Sequence, residues 1–114
     1  MKDDRVYLEH IRDCLARIAA YIVDGQARFL ADTLVQDAVL RNLQTLAEST
    51  QRLSEERKVA HASIDWRAIG GFRNVLVHNY LGLNMARIWQ IVETDLPPLR
   101  RTVDAMLAEL DKPI

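Results

Sequence analysis

Apolar residues recur every three or four positions along almost the whole chain. This spacing is typical of helices that bury one face, and no stretch alternates long enough to predict a strand. The first such run extends from Leu8 to Ile22. Asp3 and Asp4 are candidate caps at its start, and Gly25 can close the helix in the left-handed region. The pattern predicts a first helix of about five to six turns.

A second helix is predicted to begin near Asp32 or Thr33 and to end near Leu53. The polar segment 54–63 follows it as the only plausible long connection, although its Glu-Glu-Arg-Lys content could extend the helix by a turn or two. The broad side of this helix that should face the core carries Leu34 or Val35, Ala38, Val39, Asn42, Leu43 and Leu46.

Two further helices are predicted in the second half of the chain. Asp65 is a good N-cap for the third, with Ile64 and Ile69 at the two positions of a hydrophobic staple. The last helix should begin near Asn84 and continue through Pro97–Pro98 with a kink, because its apolar register survives both prolines. That register consists of Met85, Ile88, Val92, Leu96, Leu99, Val103, Met106 and Leu110. Four main helices with mostly short connections predict an all-α antiparallel bundle.

Length and composition favour one domain spanning residues 1–114. The chain has 114 residues, of which 49% are hydrophobic, enough to form one core but too few for a second. No window is apolar enough for a membrane span or shaped like a signal peptide, so a cytoplasmic protein without membrane contact is expected. The lone Cys14 lies at helical spacing with Tyr7 and Tyr21, which favours a packing role over catalysis by roughly ten to one. No metal-ligand cluster is visible, and no cofactor is expected.

The net charge of −1 argues against a protein that coats nucleic acid through a global basic field. Any contact with RNA must therefore be local. Most of the cations are Arg, whose planar guanidinium holds phosphate through two donors where Lys offers only a point charge. This bias is a weak indication, because arginine content also follows genomic base composition.

Residues 73–80 carry the chemistry of the chain. They read Arg-Asn-Val-Leu-Val-His-Asn-Tyr and bring a cation, an imidazole and a phenol into about two helical turns. His78 can accept the proton of a ribose 2′-hydroxyl or donate one to the departing 5′-oxygen, and Arg73 can stabilise the charge that develops on phosphorus. This pairing suits RNA cleavage without metal. The expected products are a 2′,3′-cyclic phosphate and a 5′-hydroxyl, and DNA should be resistant.

A turn of 100° per residue divides the third helix into two sides. Its core side should carry Ile69, Phe72 and Leu76, and its opposite side should carry Arg67, Gly71, Asn74 and His78. A glycine in the polar side costs about 1 kcal/mol of helix stability relative to alanine, which suggests close approach of another backbone. We expect that neighbour to be the same helix of a second subunit, so that two motifs border one cleft.

Arg73 and His78 do not share a face of an ideal helix, since they lie about 140° apart. The length of the Arg73 side chain, unwinding near Asn79 and Gly82, or pairing across two subunits could bring them together. Asn74 lies four residues before His78 and can hydrogen-bond it or orient the phosphate, which makes it a supporting residue.

Structural roles are the alternative for several of these residues. Arg73 could pair with Asp37 or Glu48 of the second helix, and Tyr80 could be an ordinary packed tyrosine. The tryptophans are expected to be packing anchors rather than platforms for bases. His10 and His61 are expected at the surface or in a linker. Residues 54–58 and Arg100-Arg101 are expected to be solvated faces, with contact to RNA as the minor alternative.

The sequence of residues 73–80 resembles the Arg-x4-His-x-Tyr signature of HepT-like toxins, a branch of the HEPN superfamily of helical RNases. Residues 37–43 resemble the family's second helix, residues 65–69 its lead-in to the motif helix, and Trp89 with residues 95–97 its last helix. Four similar segments in order make the resemblance strong. It departs at Asp65, where many relatives have proline, and at the second proline of the last helix.

The resemblance implies a toxin of a type VII-like toxin–antitoxin pair. In such pairs, a minimal nucleotidyltransferase similar to the MntA proteins transfers AMP from ATP to the motif tyrosine, here Tyr80, and silences the RNase. Arg73 and His78 would be catalytic, ATP and magnesium would serve the partner, and the substrates would be cellular RNAs, tRNA included. The alternative is a noncatalytic helical module that binds a nucleotidyltransferase and helps it to bind its substrate.

Overall fold

In a computed structural model of the protein, residues 3–78 and 84–112 are described, and their regular structure is entirely helical. The all-α prediction is therefore confirmed. The helices of these residues are α1 (Asp4–Tyr21), α2 (Gly25–Ala31), α3 (Thr33–Gln51), α4 (Glu55–Ala60), α5 (Trp66–His78), α6 (Met85–Gln90) and α7 (Leu96–Asp111), and a π-helical turn at Ile91–Asp95 joins the last two.

The long helices form an antiparallel bundle in which α1 packs against α3 and α7, and α3 packs against α5. Contacts between helix ends give the directions. The Asp4 carboxylate at the start of α1 accepts a hydrogen bond of 3.0 Å from the backbone N–H of Ser54, just beyond the end of α3. Arg5 lies 2.6 Å from Asp111 at the end of α7. The start of α1 thus meets the ends of both neighbours.

The core consists of the apolar faces that the periodicity predicts. Cys14 belongs to it with 1% of its surface exposed, and burial raises the pKa of its thiol, so the expected packing role is confirmed. Fully buried side chains of the three packed helices include Leu8, Ile11 and Ile18 of α1, Val39, Leu43 and Leu46 of α3, and Leu99, Val103 and Met106 of α7.

The connection between the first two predicted helices contains a short helix that the sequence pattern missed. Gly25 has φ +88°, in the left-handed region as expected, but it also begins α2. Phe29 of this helix is fully buried, and its ring centroid lies 5.5 Å from that of Trp89. Two turns are too few for periodicity to be read. The predicted start of the second long helix near Asp32 or Thr33 is confirmed, since α3 begins at Thr33 and the Asp32 carboxylate accepts a hydrogen bond of 2.9 Å from Leu34 N–H.

The polar segment 54–63 is a capped helix rather than a plain connection. The Ser54 hydroxyl accepts a hydrogen bond of 3.3 Å from the backbone N–H of Arg57 and caps α4. The Arg57 guanidinium lies 2.8 Å from Asp4 and 3.7 Å from Glu109, and His61 Nε2 lies 3.0 Å from Glu109. Ser54, Glu55 and Glu56 are exposed as expected, whereas Arg57 is half-buried by its ion pairs, and His61, in the turn after α4, is half-buried beside Glu109. The partners of Arg57 and His61 are distant in sequence, so helical spacing could not reveal them.

The Asp4 carboxylate is the centre of this ionic cluster. Burial alone would raise its pKa, but hydrogen bonds from Arg57 and Ser54 outweigh burial and bring the pKa below its ordinary value of 3.8. A carboxyl whose pKa is lower in the folded protein stabilises the fold above its unfolded pKa. That contribution disappears as the pH falls through the folded pKa.

We therefore predict that Asp4→Asn lowers the free energy of unfolding by about 1–3 kcal/mol near pH 7, because a charged hydrogen-bond acceptor is lost. Urea titrations followed by circular dichroism measure the loss. Asp13→Asn is the matched control, since Asp13 is exposed on the same helix and lies 3.8 Å from its neighbour Arg12. The difference between wild type and Asp4→Asn should shrink at acidic pH, and a difference that persists at about pH 2 would contradict the ionic role.

The C-terminal run stays helical through Pro97–Pro98, as the apolar register predicts. Neither proline can donate the usual backbone hydrogen bond. Just before them, Leu96 N–H bonds to Ile91 O, five residues back, so the interruption takes the form of the π-helical turn. Such turns are a recognised cause of helix bends.

Candidate functional site

The helix that carries the motif, α5, has a firmly fixed start. The Asp65 carboxylate accepts a hydrogen bond of 3.0 Å from Ala68 N–H, which confirms the predicted cap. Trp66 Nε1 donates to the backbone oxygens of Lys58 and His61, both at 3.1 Å. Trp66 is therefore the packing anchor that we expected, and it ties α5 to the end of α4.

Arg73, Asn74 and His78 all lie on the backbone of α5, which ends at His78. At 1.5 Å per residue, Arg73 and His78 are about 7.5 Å apart along the helix axis. The predicted motif is thus on a helix and at its C-terminal end. Tyr80, together with the predicted unwinding at Asn79 and Gly82, lies outside the described residues. The convergence of Arg73 with His78 stays a prediction.

The division of α5 into a core side and a polar side is confirmed at the positions that are described. Ile69 and Leu76 are buried at 5% and 7% exposure, and Phe72 packs against the same core. Arg67 is exposed and Gly71 is partly exposed on the other side. Helical spacing places positions 74 and 78 on the side of 67 and 71.

Two consecutive glycines of α5 have different surroundings. The carbonyl oxygen of Gly70 accepts a hydrogen bond of 3.2 Å from Gln51 Nε2, and a Cβ at Gly70 would lie 3.3 Å from two atoms of that side chain. A Cβ at Gly71 would meet nothing within 4 Å. Gly70 therefore permits close packing within the chain, which sequence reasoning missed, and the space beside Gly71 is open.

A cleft of about 670 Å³ opens between the end of α3, α4 and the first half of α5. We call it the α4–α5 cleft. Among the residues whose side chains are described, the charged ones that line it are Glu55, Lys58 and Arg67, and both Gly70 and Gly71 border it. The cleft thus reaches the polar side of α5 one turn before the motif. Sequence reasoning could not find it, because α4 was not predicted as a separate helix.

Within residues 3–78 and 84–112, no group of three or more His, Cys, Asp or Glu side chains is arranged to hold a metal ion. In the same part of the chain, every helix is too short or too polar to cross a membrane.

The family and the relatives that this chain resembles are all described as ribonucleases. The sequence model of the ribonuclease HepT-like family matches residues 11–106. A candidate RNase of Caldanaerobacter subterraneus subsp. tengcongensis is 32% identical over 108 residues, which cover 94% of this chain and 96% of that protein. A protein of Thermococcus cleftensis named "Probable ribonuclease HepT" is 30% identical over 95 residues, or 82% of this chain and 86% of the relative.

A longer relative from Methanocaldococcus jannaschii combines a gamma-glutamylcyclotransferase with a candidate RNase. It is 30% identical over 112 residues, which cover 97% of this chain but only 50% of that protein. The chain thus spans about half the length of this relative. No solved structure matches the chain.

Proposed function

Since the chain belongs to the HepT-like ribonuclease family, we propose that it is an endoribonuclease that cleaves RNA without a metal ion. The observation that carries the proposal is the position of Arg73 and His78 within the last two turns of α5, in a chain whose family match covers residues 11–106. Arginine and histidine at this spacing supply phosphate binding and proton transfer near neutral pH.

The proposed reaction is an internal transfer at phosphorus. The ribose 2′-oxygen forms a bond to phosphorus as the bond to the 5′-oxygen breaks. His78 takes the 2′-hydroxyl proton or protonates the leaving 5′-oxygen, and two subunits can supply one imidazole in each form. Arg73 stabilises the charge that accumulates on the phosphoryl oxygens, and Asn74 supports His78 or the phosphate.

Purified protein incubated with RNA in excess EDTA tests this function directly. Cleavage should continue in EDTA, leave 2′,3′-cyclic phosphate and 5′-hydroxyl ends, and spare DNA of the same sequence, which lacks the nucleophile. EDTA-sensitive cleavage would overturn the mechanism. Growth arrest on expression of the chain alone would distinguish the RNase from a noncatalytic module, which should be harmless without its nucleotidyltransferase.

We further propose that the chain is the toxin of a two-gene pair and acts on cellular RNAs, tRNA included. Its antitoxin would be an MntA-like nucleotidyltransferase that uses ATP and magnesium to transfer AMP to Tyr80. This follows from the family and from the sequence, in which Tyr80 stands two residues after His78. A phosphate attached there would compete with the RNA phosphate for Arg73.

The active form is proposed to be a homodimer in which two copies of α5 meet around a twofold axis. The contact would follow the polar side of the helix, at Arg67, Gly71, Asn74 and His78. In its support, Arg67 is exposed and the space beside Gly71 is open, so a second backbone has room to approach.

We predict that Gly71→Leu converts the dimer to a monomer at micromolar concentration, because the side chain fills the space that the partner helix needs. Multi-angle light scattering measures the mass of both proteins. Ala105→Leu, which places the same side chain at an exposed position of α7, should leave the assembly unchanged. A wild-type protein that is already a monomer would rule out the shared cleft.

A further inference from the structure

Among the residues whose side chains are described, those that line the α4–α5 cleft extend along α5 to Gly71, two residues before Arg73. Arg67 borders the cleft, and it precedes Arg73 by six residues, or about 9 Å along the helix axis. Gly70 lies between them and also borders the cleft. An RNA strand whose phosphate is held at the motif can therefore reach the cleft on the side of α5 that faces α4, apart from the Gly71 contact of the proposed dimer.

The charges of the cleft favour a polyanion. Lys58 and Arg67 contribute two positive charges and Glu55 contributes one negative charge, whereas the whole chain has a net charge of −1. Glu55 is a weak competitor for Lys58, because their charged atoms are 3.9 Å apart and 87% of the Glu55 side chain is exposed. The Lys58 side chain is 14% exposed on the α4 wall, and Arg67 is exposed on the α5 wall, so Arg67 offers the more accessible phosphate contact and Lys58 adds positive charge opposite it.

The apolar part of the cleft lining also suits single-stranded nucleic acid. It includes Val59, which has 71% of its surface exposed. Apolar surface beside cationic groups is the combination that holds unpaired bases and their backbone together.

We propose that the α4–α5 cleft binds the single-stranded RNA that flanks the scissile phosphate, with Arg67 and Lys58 contacting its phosphates. This proposal rests on the proposed RNase function and adds a subsite to it. The site should increase affinity for RNA that extends beyond the cleaved bond. It should contribute nothing to a dinucleotide, which ends before it reaches the cleft.

Binding and cleavage are measured separately. Binding is followed by fluorescence anisotropy with a labelled RNA of about 12 nucleotides, a length within the usual range of single-strand sites, in a His78→Ala background. Arg67→Met and Lys58→Met keep the aliphatic stem and remove the charge. Each should weaken binding about 3- to 10-fold and reduce the slope of log K against log salt by about 0.7. Arg12→Met removes an exposed arginine of α1 and should change neither.

Cleavage assays use the same substitutions with His78 intact. Both substitutions should raise KM for the 12-mer. Lys58→Met, which lies outside the proposed dimer contact, should leave kcat nearly unchanged, and its kcat/KM for a dinucleotide should equal that of wild type. Equal losses on both substrates would overturn the subsite, since the two cations would then act at the reacting phosphate. If wild type binds the 12-mer but cleaves no RNA, the RNase function fails, and the binding series still decides the subsite.

Arg67 also lies on the proposed dimer face, so Lys58 on α4 provides the independent test. Light scattering should show the wild-type mass for Lys58→Met. If Arg67→Met alone weakens binding and also changes the assembly, with Lys58→Met silent, the RNA subsite is overturned and Arg67 belongs to the protein contact.

Substitution of the acidic residue of the cleft should raise the affinity for RNA, which gives a final test of the subsite. Glu55→Gln removes the negative charge beside Lys58 and should tighten binding of the 12-mer about 2- to 3-fold at low salt. Glu56→Gln is the matched control, because Glu56 is its exposed neighbour on α4 and does not line the cleft. Equal effects of both substitutions would indicate that acidic residues of α4 repel RNA in general, and would contradict a specific site in the cleft.

Discussion

His78→Ala is expected to abolish RNA cleavage in excess EDTA and to leave the helical circular-dichroism signal intact. Proton transfer by a positioned side chain contributes typically about 10²–10⁴-fold to rate, and the loss should be at the upper end of that range because no other motif residue titrates near neutral pH. Position 78 is the last residue of α5, and helical spacing places it opposite the core-facing positions 69 and 76. Rates of cleavage of a labelled RNA measure the effect.

The matched control is His10→Ala, which removes an exposed histidine of α1 and should retain wild-type activity. Arg73→Lys should also be strongly impaired, because a point charge does not replace the two parallel donors of guanidinium. Retention of substantial activity by His78→Ala would assign the chemistry to other residues. If His78→Ala loses the helical signal, its inactivity could come from unfolding. Arg73→Lys, which conserves the charge, then tests the motif: loss of cleavage with the helical signal intact would support the catalytic role.

The long helices could be read from the sequence because their signals are local. An apolar period of three or four residues needs several turns to be recognised, and α1, α3 and α7 supply them. Asp65 caps α5 as predicted, and Asp32, near which the second helix was expected to begin, caps α3. Asp3, the other candidate at a helix start, occupies the N-cap position of α1 without a capping hydrogen bond, and Asp4 turns to Ser54 and Arg57 instead.

The short helices and the cleft could not be read in the same way. α2 and α4 contain seven and six residues, and α4 has no buried residue, so neither shows a usable period. Gly70 and Gly71 are indistinguishable in the sequence. They differ in the structure because Gln51, nineteen residues before Gly70, packs against Gly70. The place of the motif on α5 was therefore predictable, whereas the surface beside it depends on contacts between distant segments.

Tyr80→Phe is expected to remain toxic and to become insensitive to the nucleotidyltransferase antitoxin. The substitution removes the oxygen that would accept AMP and keeps the ring. Wild-type protein incubated with the partner, ATP and magnesium should gain the mass of one AMP and lose RNase activity, because the added phosphate and its bulk stand two residues from His78. Intact-mass spectrometry and RNA cleavage, measured on the same samples, follow both changes.

Tyr21→Phe is the matched control, since Tyr21 is a partly exposed phenol at the end of α1 and should not affect modification. The two tyrosines separate site-specific transfer from general labelling of accessible phenols. An AMP-sized addition that persists in Tyr80→Phe and disappears in Tyr21→Phe would move the acceptor to α1. If wild type gains no mass but loses activity when the partner is present, the antitoxin acts by binding, and Tyr80→Phe should then be inhibited as fully as wild type.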